Sequence, residues 1–271
     1  MNQLFNISCR LPTPDNASYR KQLATELGSS LEAGGKKYAV QKIGWTGAAA
    51  PDYAQRDAVA KSMLQEYSQL PVFLEKDDIN DFYYGFCNTS LWPLLHYISS
   101  YAEYNGRWYE AYRRVNELFA DKVVERYRSG DMIWVHDYHL MLVPQFIKQK
   151  RPEAKVGFFL HTPFPSYELF RCHPNRVELL SGMLSADLTG FQTFGYLRHF
   201  RSTVLRLLGI ESEINEIAHE GQVTEMGVYP VGVKWDMITH IKSSPEYLLS
   251  VEDYRSHFKD RKIILSADRM D

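Results

Sequence analysis

Short apolar runs and longer stretches with helical spacing take turns along this chain. Apolar runs bounded by Gly, Pro or polar residues predict buried strands at Leu4–Ser8, Tyr38–Ile43, Pro71–Leu74, Met132–Val135, Val156–Leu160, Asp187–Gly190, Glu225–Tyr229 and Lys262–Ala267. Helical patterns fall at Ser18–Ala33, 54–68, Asp77–Tyr84, Leu91–Tyr97, Arg107–Arg128, Leu140–Lys150, Arg176–Leu184, Gly195–Leu208 and Pro245–His257. In the first, Leu23, Leu27 and Leu31 recur four apart and Gly34-Gly35 ends the pattern. In the long one, Val115, Leu118, Phe119, Val123 and Tyr127 mark the expected buried face. The polar segment Glu211–Gln222 reads as a loop or irregular excursion. Strands alternating with helices predict an α/β fold with a mostly parallel sheet covered on both faces.

The stretch between Asp131 and Pro165 carries the clearest chemistry. Its two strands flank a single helix, so they are expected to be parallel neighbours. His136-Asp137 follows the first strand and His161-Thr162 the second. In open α/β sheets ligands bind just beyond the carboxyl ends of the strands, so a carboxylate and imidazoles should meet in one crevice. Asp137 follows an apolar strand, where a carboxylate is costly unless paired or used. It either serves a ligand or caps the next helix. His161 precedes Thr162-Pro163-Phe164-Pro165, whose prolines stiffen the turn.

Other strand ends add candidates. Arg10 follows the first strand, where a guanidinium fork clamps a phosphate or carboxylate, or pairs at the surface. Gly44-Trp45-Thr46-Gly47 follows the second strand and reads as a sugar-stacking indole or a tight turn around a packed one. Tyr83, Trp92 and His96 sit at helical spacing and serve either core or ligand. Arg269 either meets a phosphate or pairs with Asp268 or Asp271. His136, His139, His161 and His173 lack the spacing of a metal set, and no metal is expected.

Composition narrows the setting. The 271 residues are 45% hydrophobic with net charge −2, which gives no electrostatic footprint for nucleic acid or an anionic membrane. Cys9, Cys87 and Cys172 lie far apart, so a reduced, cytoplasmic protein without disulfides is expected. No apolar run approaches the ~20 residues of a membrane span. The chain stops in mid-motif at Asp271, so a fragment of a longer protein is expected.

Taken in order, these segments resemble the trehalose-6-phosphate synthase family, glycosyltransferase family 20. The matching pieces are Arg10-Leu11-Pro12, Gly44 to Gly47, Tyr83 to Tyr97, Trp134-Val135-His136-Asp137-Tyr138-His139 and Gly157 to Pro165. Ala186 to Thr193 and Val228 to Val233 complete the set. The resemblance implies the N-terminal, Rossmann-like half of a GT-B glycosyltransferase. Residues 1–255 would be the acceptor-side domain and 256–271 the start of the nucleotide-sugar domain.

The implied reaction joins UDP-glucose to glucose 6-phosphate with retention, giving trehalose 6-phosphate and UDP without cofactor or metal. Arg10 and Tyr83 would meet the acceptor phosphate, Trp45 and Trp92 would line the acceptor site, and Asp137 would hold its hydroxyls. His161 would contact the donor glucose and Arg269 the UDP diphosphate, where cationic side chains matter most. The family's Gly-Gly-Leu at the first helix reads Lys21-Gln22-Leu23 here, so Lys21 would bring charge where bare backbone approaches the donor. The family's Ser-Asn-Arg reads Ser8-Cys9-Arg10. The fragment is expected to be inactive alone, and the parent to form homo-oligomers or a synthase–phosphatase complex. A non-catalytic regulatory or scaffold subunit, and a related synthase with another acceptor, remain as alternatives.

Overall fold

The computed structural model describes residues 2–11, 38–233, 235–259 and 261–266. The expected helix Ser18–Ala33, Lys21 and Arg269 lie outside the described residues. The described residues fall into two compact units, one ending at Val231 and one beginning at Gly232.

The first unit is one eight-stranded sheet. Its strands are β1 (Gln3–Arg10), β2 (Ala39–Trp45), β3 (Gln69–Val72), β4 (Met132–His136), β5 (Lys155–Leu160), β6 (Leu188–Phe191), β7 (Glu216–His219) and β8 (Gln222–Val228). They lie in the order β3-β2-β1-β4-β5-β6-β8-β7. Every described pairing is parallel except β7 with β8. The order reverses between β1 and β4, a topological switch point that opens a crevice beyond their carboxyl ends.

Helices cover the sheet. They are α1 (Tyr53–Tyr67), the helical run 76–95 (α2), α3 (Gly106–Val124), α4 (Val143–Lys150), the single turn α5 (Tyr167–Phe170), α6 (Arg176–Leu184) and α7 (Phe194–Leu208). In the second unit, α8 (Trp235–Lys242) and α9 (Pro245–His257) pack on each other. No helix among the described residues is long and apolar enough to cross a membrane.

Several elements depart from expectation. The two short helices Asp77–Tyr84 and Leu91–Tyr97 merge into α2, whose centre, Ile79–Leu91, is a π-helix. Helix α3 stops at Val124 rather than Arg128, and its buried stripe is Ala111, Tyr112, Val115, Asn116, Phe119, Ala120 and Val123. Leu118 faces solvent, because at 3.6 residues per turn it falls at the edge of that stripe. The helix expected from Leu140 begins at Val143, after a 3₁₀ turn at Tyr138–Leu140.

The stretch Glu211–Gln222 holds β7, which buries only Ile217 and so shows no apolar run. Its hairpin turn puts both Glu220 (φ 49°) and Gly221 (φ 79°) in the left-handed region, a geometry that Glu does not advertise. Helix α8 is an addition. Residues 262–266 form no strand, and Ile263, Ile264 and Leu265 are exposed.

His173 shows how buried polar groups are satisfied here. Its Nδ1 accepts from Asn175 N–H at 3.1 Å, so the proton sits on Nε2, which lies 3.2 Å from Ser90 Oγ. The rings of Phe86 and Tyr104 meet it edge-on. Burial, then Arg176, lowers its pKa from 6.5 to about 3. The folded chain therefore refuses a proton that the unfolded chain takes up near pH 6.5. Stability should be lost as pH falls from 6.5 toward 3, by about 1.4 kcal/mol per pH unit for this histidine. Urea denaturation from pH 7 to pH 5 measures the summed slope of the buried histidines, and His173→Phe should lower it by up to about 1.4 kcal/mol per pH unit.

Candidate functional site

The crevice at the switch point is built from the ends of β1, β2, β4 and β5 and from α2. β1 carries a bulge: Ile7 pairs with Ile43, but Arg10, three residues on, pairs with Trp45, only two on. Bulges re-aim side chains at sheet ends. Here Arg10 lies with its Cζ 5.2 Å from the Trp45 ring and 6.0 Å from the Tyr83 ring. Gly47 (φ 90°) lies against the same guanidinium, and a Cβ there would run into Arg10 Nη2. The glycine thus serves both the turn and the arginine's place in it.

Trp45 is buried, and its Nε1 donates to Ala48 O at 2.6 Å. Its ring centroid lies 5.3 Å from that of Tyr83. The indole therefore supports Arg10 and Tyr83 from within, instead of offering a face to the crevice. Burial pushes the Tyr83 phenol up, an effect that Arg10 partly offsets, so Tyr83 remains a donor at neutral pH. The Cys9 and Cys87 thiols are buried, and burial pushes both up, which leaves them as inert filling beneath this cluster.

The π-helix decides where Trp92 goes. Trp92 N–H donates to Cys87 O, five residues back. Trp92 lies nine positions after Tyr83. In an α-helix that is ~2.5 turns, on opposite faces, whereas i→i+5 bonding at roughly 4.4 residues per turn makes it ~2 turns, on one face. His96 stacks on Trp92 with centroids 4.1 Å apart. Gly85 lets this helix approach α3, since a Cβ there would sit 2.8 Å from the Trp108 ring.

Asp137 adopts φ 71° and ψ 170°, a conformation nearly reserved for glycine and costing about 1–3 kcal/mol. Its carboxylate does not cap the following turn. Oδ1 accepts instead from His161 N–H at 3.2 Å, Thr162 N–H at 3.3 Å and Thr162 Oγ1 at 3.4 Å. The strained backbone thus turns the carboxylate across to the end of β5. The turn after His161 is anchored by Phe164, which packs among Phe170, Phe191 and Phe200.

The loop 137–142 is pinned by residues that carry no motif. Tyr112 OH donates to Tyr138 O at 2.8 Å and accepts from Met141 N–H at 3.0 Å. Asn116 Nδ2 donates to His139 O at 3.0 Å, and its Oδ1 accepts from Leu142 N–H at 3.1 Å. Gly182 in α6 lies against Met141 O and Leu142 Cα, with no room for a Cβ. A buried asparagine inside the apolar stripe of α3 was the one available signal.

The histidines do not form a metal set. His136 Nδ1 lies 3.0 Å from His161 Nε2, and His139 stacks on Tyr83 with centroids 5.9 Å apart. His173 lies in its own pocket with Ser90. Among the described residues no three His, Cys, Asp or Glu side chains come together as metal ligands. Burial lowers the His139 pKa to about 4 and holds His136 well below 6.5, so both are neutral at pH 7.

The comparisons agree with this architecture. The glycosyltransferase family 20 model matches residues 11–271, and the chain belongs to that family. It is 39% identical over 245 residues to an Arabidopsis thaliana alpha,alpha-trehalose-phosphate synthase [UDP-forming], covering 88% of this chain and 26% of that protein. Among solved structures it is similar to the N-terminal domain of a Candida albicans trehalose-6-phosphate phosphatase. There the TM-score is 0.81 at 31% identity, over 97% of this chain and 56% of that one. It is also similar to a UDP-forming alpha,alpha-trehalose-phosphate synthase from Burkholderia xenovorans, with a TM-score of 0.79 at 28% identity, over all of this chain and 57% of that one. The chain thus spans little more than half of each matched structure and about a quarter of the Arabidopsis protein. The sheet and its helices match a Rossmann-like half of a GT-B glycosyltransferase.

Proposed function

We propose that this chain is the acceptor-side part of a retaining glucosyltransferase that makes trehalose 6-phosphate from UDP-glucose and glucose 6-phosphate. The observation that carries this reading is the placement of Arg10, Tyr83 and Asp137 at the switch point of the sheet, in a chain of family 20. A guanidinium and a protonated phenol suit a phosphate dianion. Asp137 suits sugar hydroxyls, with Oδ2 left out of the bonds to the end of β5. Trp92, on the same helical face as Tyr83, would pack on the acceptor sugar, while Trp45 acts by holding Arg10. His161 would meet the donor glucose.

Lys21 and Arg269 would face the UDP diphosphate, where negative charge develops as the bond from glucose to UDP breaks. No metal or cofactor enters this scheme. Residues up to about 255 would form the acceptor-side domain, with 256–271 opening the nucleotide domain. The setting is cytoplasmic, with assembly into homo-oligomers or a synthase–phosphatase complex.

Calorimetry of the 271-residue chain tests the acceptor site. Glucose 6-phosphate should bind in the millimolar range or tighter, and glucose at least about 10-fold more weakly, since it lacks the charged phosphate contacts. No heat with millimolar glucose 6-phosphate would sink the assignment. The match to a phosphatase's N-terminal domain favours a second reading, a regulatory or scaffold subunit that keeps this site. UDP release by the longer protein from UDP-glucose and glucose 6-phosphate decides against that reading, and its absence decides for it.

A further inference from the structure

We propose that His136 sets the tautomer of His161. His136 donates from Nδ1 to His161 Nε2, so that His161 is neutral and carries its own proton on Nδ1. The contact follows from the strand register. His136 on β4 pairs with Phe159 on β5, and His161 lies two residues further on, so both imidazoles project from the same face. Their centroids are 5.2 Å apart, and Nδ1 of His136 is 3.0 Å from Nε2 of His161. The bond holds one proton, and either ring could supply it.

The other nitrogen of His136 breaks the tie. Nε2 is buried and has no hydrogen-bond partner among the described residues. If His161 donated through Nε2–H, neutral His136 would accept at Nδ1 and carry its proton on Nε2 as a buried N–H without an acceptor. If His136 donates, Nε2 is a bare lone pair. Among backbone groups, orphaned buried N–H are rarer than under-satisfied C=O, and the same asymmetry applied to the imidazole favours the second arrangement. A doubly protonated His136 is also excluded, because burial, and then His161, holds its pKa well below 6.5. The ring cannot easily swing away, since Trp134 lies 4.6 Å from it.

His161 is then fixed twice from β4. His136 holds its ring, and the Asp137 carboxylate holds its backbone N–H. Protonating His161 would either place N–H against N–H across the 3.0 Å contact or shift the His136 proton to its partnerless Nε2, so the pair opposes an imidazolium. Any group that meets His161 Nδ1 must accept a hydrogen bond, as hydroxyl and phosphate oxygens do. Resting on the reading above, His161 serves the donor sugar as a neutral hydrogen-bond donor and not as a general acid. His136 is the positioning residue that makes it so.

The test needs no substrate, so it stands apart from the success or failure of the acceptor assignment. The chain is labelled with ¹⁵N-histidine, and two-bond ¹⁵N–¹H spectra are recorded at pH 7, with the His161 signals assigned by their loss in His161→Asn. Nδ1 of His161 should appear protonated and Nε2 unprotonated. His136→Asn keeps an N–H donor near the Nδ1 position and should preserve that pattern. His136→Phe removes the donor while keeping a ring, and should lose it in favour of Nε2–H. An Nε2–H tautomer in the unsubstituted chain overturns the proposal, as does a His161 pattern unchanged by His136→Phe. If His136→Phe does not fold, the unsubstituted chain and His136→Asn still decide.

Discussion

Replacing Arg10 by alanine should weaken glucose 6-phosphate binding about 100-fold, the equivalent of about 3 kcal/mol of charge-assisted hydrogen bonding. The fold should survive, because Arg10 ends an edge of the crevice while the core beneath it, Phe5, Ile7 and Ile43, is untouched. Arg10→Lys should recover only part of the loss, since an ammonium keeps the charge but not the planar fork. Gly47→Ala offers an independent check. Its Cβ would enter the space of Arg10 Nη2 and strain a backbone at φ 90°, so it should displace the guanidinium without removing it. A loss of about 10-fold is expected there, on the scale of one charged hydrogen bond. Calorimetry with glucose 6-phosphate reads all three variants. If Arg10→Ala binds as tightly as the unsubstituted chain, the phosphate does not sit on Arg10.

Much of this site was legible because strand ends in α/β proteins are where polar residues stand out. Asp137 and His161 follow runs that are otherwise apolar, and Arg10 follows the first strand of all. Roles for them came from resemblance and not from pattern. What stayed hidden depends on geometry that no residue spells out. The buried positions in α2, among them 82, 86–87, 90–91 and 94–95, step every four residues, a spacing that reads as α-helix and does not announce the π-helix. Trp45 stayed open between a ligand platform and a packed turn, because an indole beside glycines reads the same whether it faces in or out. The φ of Asp137 is invisible because the residue is not glycine. The strand order, which turns β1 and β4 into neighbours at a switch point, depends on long-range pairing. Lys21 and Arg269, which the resemblance assigns to the diphosphate, lie outside the described residues.

Replacing Asn116 by leucine should cost about 3 kcal/mol of stability, more than its neighbours on the same helix would suggest. Leucine has the same branched heavy-atom skeleton as asparagine and would suit the apolar stripe of α3, so polarity and not shape is the main change. The cost lies in the partners. His139 O and Leu142 N–H would lose the bonds that Asn116 makes to them at 3.0 and 3.1 Å, beside the buried Tyr112, Met141 and Leu142. Unpaired buried polar groups cost their full desolvation, which exceeds the net worth of the bonds that satisfied them. Asn116→Asp should be at least as damaging, because it keeps an acceptor for Leu142 N–H but loses the donor to His139 O and buries a charge. Leu118→Ala, on the exposed edge of the same helix, should stay within about 0.5 kcal/mol and controls for helix content. Thermal unfolding followed by circular dichroism should place Asn116→Leu roughly 10 °C below the unsubstituted chain. The variant should also bind glucose 6-phosphate more weakly at temperatures where it is still folded, because the loop it loosens begins at Asp137. A variant that melts within about 2 °C of the original, with binding unchanged, would mean that Tyr112 and Gly182 hold the loop without it.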